Sequence, residues 1–477
     1  MKARQLEKLG LPPGRALKLA KWLAVEARRQ GMDHVQIKMR LAAIAADPEA
    51  HRDDPVFGDL ARQLAQLKQQ AANAAGAAAP RSEPAPWKQW GRDLDPASVQ
   101  QMENACRLPV SVRGALMPDA HVGYGLPIGG VLATDHAVIP YAVGVDIACR
   151  MKLTVLDLPP DLLTRQPDRL IRALEEETRF GMGAQFDPHH RRQHPVMDED
   201  WSVTSLTQHL KDKAWAQLGT SGSGNHFVEY GLLTPAPGKG EGTPLLPLEN
   251  RPYLALLSHS GSRGAGAQVA GHYSRLASAL HPELPRELQH LAWLDLATPE
   301  GQEYWQAMQL MGRYAAANHA CIHRALARRL GAQVLLDLEN HHNFAWEEEH
   351  DGRRVIVHRK GATPAGVGVL GIIPGSMASP GYIVRGRGNA AALNSAAHGA
   401  GRVMSRTQAR NTYRWATVRP VLEERGVKLL SAGIDEAPMV YKNIDEVMAA
   451  QQDLVEPLAR FDPRIVKMAP EGEKAED

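Results

Sequence analysis

The chain has 477 residues, with 55 Lys and Arg against 53 Asp and Glu, a formal net charge of +2. That length suits one large domain or two, and near-neutrality excludes the global basic field of a non-specific nucleic-acid coat, so any nucleic-acid surface must be local. Three cysteines, Cys106, Cys149 and Cys321, with no CxxC pair exclude a disulfide framework or a zinc ribbon and fit a reducing, cytoplasmic setting. The basic start, Met1 to Gly14, lacks the apolar core of a signal peptide. No run approaches the roughly 18 apolar residues of a membrane span.

Residues 1–70 predict a small helical unit. After Pro12-Pro13, the series Leu17, Ala20, Leu23, Ala24 and Ala27 keeps the spacing of one helix face, and Gly31 ends it. A second helix is expected from Asp33 to Ala46, stopped by Asp47-Pro48, and a third carries Leu60, Leu64 and Leu67. Residues 71–86, Ala-rich and then Pro-rich, predict a linker. From there to residue 468 the texture is that of one large domain mixing helices and strands. A helix over Pro96–Cys106 precedes β-structure over 129–145 and helices over 159–177. A His- and Pro-rich loop occupies 185–200, and helices dominate 266–330, including Tyr304 to Leu330. Strands are expected around Tyr253–Leu257, Val334–Leu338, Arg354–Val357 and Tyr382–Val384, then a helix from Asp445 to Leu458. Residues 469–477 form a charged tail expected to be disordered.

Twenty histidines is a high count, and many stand beside Gly, Asn or Ser. Four segments hold residues suited to a transition metal. They are Gly144 to Cys149 with Asp146 and Cys149 three apart, Gly222 to Phe227 with His226, Leu257 to Gly264 with His259 at a strand end, and Glu339 to Asn343 with His341 and His342. One thiolate, one carboxylate and several imidazoles suit Mn, Fe, Co or Zn better than Mg or Ca, and a thiolate can bridge two metals. Each piece alone has a bland reading, because a lone histidine at a strand end is more often a satisfied structural residue than a ligand. Cys106 and Cys321 fit the core. His319 and His323, at i and i+4 on one helix, fit helix packing because no third ligand is evident. His189, His190 and His194 belong to the long loop.

A second set concerns a nucleotide. Gly371 to Met377 is a glycine-bearing turn after an apolar run, and Ala397 to Arg402 places His398 before two glycines and an arginine. Small residues let a phosphate approach backbone N–H groups, and Arg402 can pair with it; the bland alternative is a tight turn with a surface histidine. No GxxxxGK[ST] occurs, which excludes a P-loop NTPase, and no KxDG-type lysine motif is present.

Taken in order, MPDAHVGYGLPIGG, VGVDIACRM, GNHFVEY, HSGSRG, HHNFAW, RKGA, IPGSM, SAAHGAGRVMSR and YKNID resemble the RtcB family of tRNA-splicing and RNA-repair ligases, from about Trp87 to Leu458. The resemblance implies an α+β catalytic domain with metals at the floor of a deep cleft. It implies two Mn(II) ions held by Asp146, Cys149, His226, His259 and His342, with Cys149 bridging, and GTP as co-substrate. His398 becomes the residue that is guanylylated, and Asn225, Phe227, Glu229, Asn343, Pro374, Gly375, Ser376, Met377, Gly399, Ala400, Gly401 and Lys442 the residues that hold GTP, with Glu229 facing the guanine. RNA is the expected partner, with Arg263, Arg402, Arg385 and Arg387 as candidate grips on its phosphates. An archease-type activator is left open, and a monomer is expected.

Ala148 and Arg150 flank the cysteine where many family members carry DxGCG, Tyr124 stands where some have lysine, and Gly381 replaces a serine of some members. Arg150 beside the metal bridge is expected to influence which phosphate end is accepted. Competing functions are a metal-dependent RNA phosphodiesterase and a catalytically silent RNA-binding relative. The family says nothing of residues 1–80, where Lys18, Lys21, Arg28 and Arg29 raise an accessory RNA or partner-docking role against a plain packing module.

Overall fold

In a computed structural model, which describes residues 3–12, 14–236 and 247–474, the apolar stripe near the N-terminus builds a core of its own. The helices are α1 (Ala3–Glu7), α2 (Arg15–Arg29), α3 (His34–Ala46) and α4 (Gly58–Ala78). Leu17, Ala20, Leu23, Ala24 and Ala27 of α2 bury against Ile37, Leu41 and Ile44 of α3 and Leu60 and Leu64 of α4, each large side chain contributing roughly 1.5–3 kcal/mol. Gly31 after α2 takes φ +96. Asp33 and Gln36 exchange side-chain-to-backbone hydrogen bonds in a capping box that starts α3, a device that contributes about 1 kcal/mol. The expected linker is helical as far as Ala78. Alanine has the highest intrinsic helix propensity and needs no burial to express it. Contacts divide the chain into two units, Met1–Ala79 and Pro80–Asp477.

The second unit is α+β, built on a five-stranded and an eight-stranded sheet. The smaller sheet runs Trp87–Gln89, Ser111–His121, Ile128–Thr134, Arg353–Lys360, Asn343–His350. The larger runs Leu370–Ile373, Gly381–Gly386, Val455–Met468, Phe227–Pro235, Tyr253–Ser260, Arg150–Leu156, Val334–His341, with Lys428–Ser431 pairing beside Val455–Met468. The 32-residue helix Pro299–Leu330 starts at a Thr298 cap and stops at Gly331, φ +64. Its Ile322, Leu326 and Leu330 pack on Leu156, Leu254 and Leu256 of the larger sheet.

Three expectations are corrected. The last predicted helix is short, Ile444–Ala449, and is followed by the 14-residue strand Val455–Met468. Pro457 and Pro463 lack the N–H a helix needs, and the segment pairs with both Gly381–Gly386 and Phe227–Pro235. Within 129–145, Pro140–Val143 is a helical turn with proline at its start. The tail is placed as far as Lys474: Trp415 Nε1 donates to Glu471 and Ser223 Oγ to the Lys474 carbonyl. Residues 475–477 lie outside the described residues.

Candidate metal and nucleotide cleft

Register gathers the metal-suited residues. Four neighbouring antiparallel strands place Phe227 opposite His259, Met151 opposite His259, and Arg150 opposite His341. His226 precedes one strand, His259 nears the end of the next, Cys149 precedes the third and His342 follows the fourth, so all four emerge at one edge of the sheet. Asp146 is brought to them by a turn in which Ala148 takes φ +58 and its N–H donates to the Asn343 carbonyl at 2.6 Å. The Ser262 N–H donates to Asp146 Oδ1 at 3.0 Å. A side chain at Gly261 would start 2.0 Å from Asp146 Oδ2, which explains a glycine there.

Cys149 Sγ lies 3.0 Å from His259 Nε2 and 3.4 Å from His226 Nε2. His259 Nε2 faces His342 Nε2 at 3.1 Å, and His226 Nε2 lies 3.1 Å from Asp146 Oδ2. These atoms form two buried triads, Cys149–His259–His342 and Asp146–Cys149–His226, with the sulfur common to both. His259 Nδ1 donates to the Asn225 carbonyl at 3.1 Å, leaving an Nε2 lone pair aimed at the cluster. Burial pushes His259 down to about 3 and His342 well below the usual imidazole range, so both rings are neutral. Burial works to raise Asp146, but the hydrogen bond and charge of His226 outweigh it and hold the carboxyl below the usual range. Buried lone pairs turned on one another are costly unless a proton or a cation lies between them. The set of sulfur, carboxylate and imidazoles therefore fits a transition-type ion.

His398 stands beside this cluster, its ring centroid 4.8 Å from that of His342. Its Nδ1 lies 2.7 Å from Asp119 Oδ2, and the N–H groups of His398 and Gly399 donate to the same oxygen at 3.1 and 3.3 Å. A carboxylate only accepts, so Nδ1 carries a hydrogen, and in the neutral ring the lone pair is on Nε2. Asp119 is fully buried, and Lys442 Nζ donates to the carbonyls on either side of it, Pro118 and Ala120, both at 2.9 Å. Gly401 takes φ +74, and a Cβ there would start 2.0 Å from the Asp119 carbonyl oxygen. The sequence reading missed Asp119. It lies within the MPDAHVGYGLPIGG segment that carries the resemblance, as the one acid of the strand Ser111–His121.

One cleft of about 1180 Å³, open solvent at its mouth included, joins the two clusters. Asn225, Phe227, Glu229, Asn343, Pro374 to Met377, Gly399 to Gly401 and Arg402 all line it with the five metal-suited residues and His398. Burial pushes Glu229 well above the usual carboxyl range. Asn343 also braces the Asp146 turn, donating to the Asp146 carbonyl and accepting from Gly361. Tyr441 and Glu436, hydrogen-bonded to each other, are lining residues that the sequence reading did not single out. Lys442 lies behind the lining.

The arginines fare differently. Arg402 reaches the cleft, with its guanidinium held by the Asp435 and Met404 carbonyls and by Glu436. Arg263 is 2 % exposed and donates to the Gly181 carbonyl and Thr220 Oγ1. These contacts hold its side chain inside the protein, and it is not among the residues that line the cleft. Arg385 pairs with Glu456 away from the cleft, and Arg387 is exposed beyond that strand. Arg150 is buried too, bonded to Glu339 and to the Gly312 carbonyl, and strand alternation sends it away from the cleft, so any influence on which phosphate end is accepted has to act without direct contact. Tyr124 is exposed, its carbonyl accepting from Lys360 Nζ. Gly381 lines the cleft. His319 and His323 are packing residues as expected, sharing Ser258 Oγ at 2.7 Å each.

Comparison with known proteins is consistent with this geometry. A family model described as tRNA-splicing ligase RtcB matches residues 101–468. The RNA-splicing ligase RtcB of Escherichia coli K12 is 34% identical over 418 residues, covering 79% of this chain and 95% of its own. The RNA-splicing ligase RtcB of Mycobacterium tuberculosis is 33% identical over 436 residues, covering 76% and 98%. The tRNA-splicing ligase RtcB of Thermococcus kodakarensis is 30% identical over 419 residues, covering 74% and 86%. With that span and a cleft lined by the family's own motifs, the chain belongs to the RtcB family.

Proposed function

We propose that this protein is a GTP-dependent RNA ligase that joins an RNA 3′-phosphate or 2′,3′-cyclic phosphate end to a 5′-hydroxyl end, in tRNA splicing or RNA repair, acting in the cytoplasm as a monomer. The observation that carries the reading is His398, with Nδ1 tied to buried Asp119 and Nε2 left as a lone pair beside two donor triads. His398 Nε2 attacks the α-phosphorus of GTP, a P–N bond forms, the α–β P–O bond breaks and pyrophosphate leaves. Asp119 stabilises the imidazolium character that develops, in the role that a carboxylate plays behind a catalytic histidine. Lys442, whose ammonium flanks Asp119, adds positive charge close by. An RNA 3′-phosphate oxygen then takes the GMP from His398, the 5′-hydroxyl attacks the activated 3′ end and GMP departs. A cyclic phosphate is first hydrolysed to the 3′-phosphate.

Asp146, Cys149, His226, His259 and His342 would hold two Mn(II) ions, with the Cys149 sulfur common to both donor triads. When bound, these ions supply Lewis-acid stabilisation of phosphoryl charge. Glu229, buried beside Phe227, and the Pro374–Met377 turn would hold the guanine and its phosphates, with Asn225, Asn343 and Gly399 to Gly401 completing the pocket.

The test is incubation with GTP labelled at the α-phosphate and Mn(II). An acid-labile, GTP-specific label on the protein, absent in His398→Ala, is expected. A folded, metal-loaded protein that takes no label rules the ligase mechanism out and leaves a phosphodiesterase or a silent RNA-binding relative.

A further inference from the structure

The unit Met1–Ala79 lies outside the residues that match the family. Its α2 has two contrasting faces. The inner one is the apolar stripe that fills the core of the unit. At 100° per residue, Lys18, Lys21, Trp22, Val25, Arg28 and Arg29 fall on the outer face within a sector of about 120°. All six are exposed, Trp22 to 62 % and Val25 to 55 %. The one acid of α2, Glu26, sits beside that sector and pairs with Arg29 at 3.4 Å.

An indole left in water among four cations calls for a ligand that is both flat and anionic. A membrane helix buries a continuous apolar face, but in α2 that face is spent on the core, and the outer sector offers only Trp22 and Val25. A protein partner of ordinary composition wants few charges at the centre of its contact, and here four cations line the sector beside the aromatic. Single-stranded nucleic acid matches both features: bases stack on an indole regardless of sequence, and Lys and Arg neutralise the phosphates. Lys18 to Arg29 spans about 16 Å along the helix axis, the reach of a few nucleotides.

We propose that the outer face of α2 docks single-stranded RNA, a base stacking on Trp22 while Lys18, Lys21, Arg28 and Arg29 contact phosphates. The proposal rests on the reading of the protein as an RNA ligase and assigns the N-terminal unit a substrate-holding role separate from the cleft.

The test uses the full chain and a fluorescein-labelled 12-nucleotide oligouridylate, followed by anisotropy across a salt series. Trp22→Ala is expected to weaken binding about ten-fold or more, with Trp22→Phe keeping most of the affinity. Lys18→Ala/Lys21→Ala is expected to flatten the dependence on log salt by about 1.4, that is about 0.7 for each lost phosphate contact. That pair decides the matter alone should Trp22→Ala disturb folding. GMP labelling of His398 in the same samples is expected to be unchanged. If labelling fails in the wild type while RNA binding still depends on Trp22, the ligase reading falls and the docking surface stands. Unchanged RNA affinity and salt slope in both variants overturn the docking surface. So does loss of binding to phosphatidylserine vesicles without loss of RNA binding.

Discussion

The floor of the cleft and the layer packed directly behind it hold the same kind of residue in opposite states. On the floor, ring nitrogens of His226, His259 and His342 turn toward one another and toward one sulfur. Behind it, His319 and His323 meet a hydroxyl or a carbonyl at each nitrogen: His319 has Ser258 Oγ and the Ser260 carbonyl, and His323 has Ser258 Oγ and Thr154 Oγ1. Burial drives His259, His342, His319 and His323 alike toward neutrality. Neither burial nor protonation therefore separates a candidate ligand from a packing residue. What separates them is the kind of partner: the Nε2 atoms on the floor face other metal-suited donor atoms, whereas the nitrogens behind it face a hydroxyl or a carbonyl.

The sharpest break of this contrast is Cys149→Ala, which takes a donor from both triads at once. Bound metal, measured by mass spectrometry after purification with Mn(II), is expected to fall to background, and ligation by more than about 100-fold. Asp119→Asn comes next. It preserves shape but replaces the acceptor behind His398, and the rate of GMP labelling is expected to fall by about 100-fold or more. A shift in the pH profile of labelling, with metal content unchanged, distinguishes a positioning role from general damage.

Behind the floor the expectation reverses. His323→Phe leaves Ser258 and Thr154 short of a partner and is expected to cost about 1–3 kcal/mol in thermal or urea unfolding while metal content is kept. Loss of metal with little loss of stability would erase the distinction between the two layers. His358 offers a pH test on the same principle. Burial lowers it to about 4 from an unfolded value near 6.5, so between those values the unfolded chain binds more protons. Stability is then present above about 6.5 and lost as pH falls toward 4, by up to about 1.4 kcal/mol per pH unit for each such histidine. Melting temperatures at pH 7 and pH 5 check this, and His358→Gln should flatten the difference. The smallest effect is expected at Ala148, where φ +58 strains a residue with a Cβ. Ala148→Gly should raise stability by up to about 1 kcal/mol without altering metal content.

Much of this was legible in the sequence wherever local chemistry decides the outcome. Pro96 and the Asp95 cap start a helix that ends at Cys106 as expected, and the strand ending at His341 follows from its apolar run. The ligand candidates were recognisable because Gly, Ser and Asn around them mark strand ends. Side-chain direction was not legible. Arg150 and Cys149 are neighbours, yet strand alternation sends one away from the cleft and the other into it. Arg263 sits in a motif of the site, yet its side chain is buried against Gly181 and Thr220. Asp119 lies inside a strand, and its meaning depends on His398, 279 residues away. The segment Val455–Met468 became a strand because two long-range partners waited for it on either side, which no local window reveals.

A single sulfur that completes both donor sets also makes both sets fail together. Burial pushes the thiol of Cys106 up to about 12 and raises that of Cys321 as well, so neither offers a ready thiolate to oxidants. Cys149 differs in its place, since its sulfur is common to both triads. One-step oxidation to a sulfenic acid would remove a ligand from each set, and a thiol reductant would restore both, whereas further oxidation to the sulfinic acid would not reverse in this way. In any one molecule that held ions through these residues, loss of the shared atom would therefore open both donor sets together.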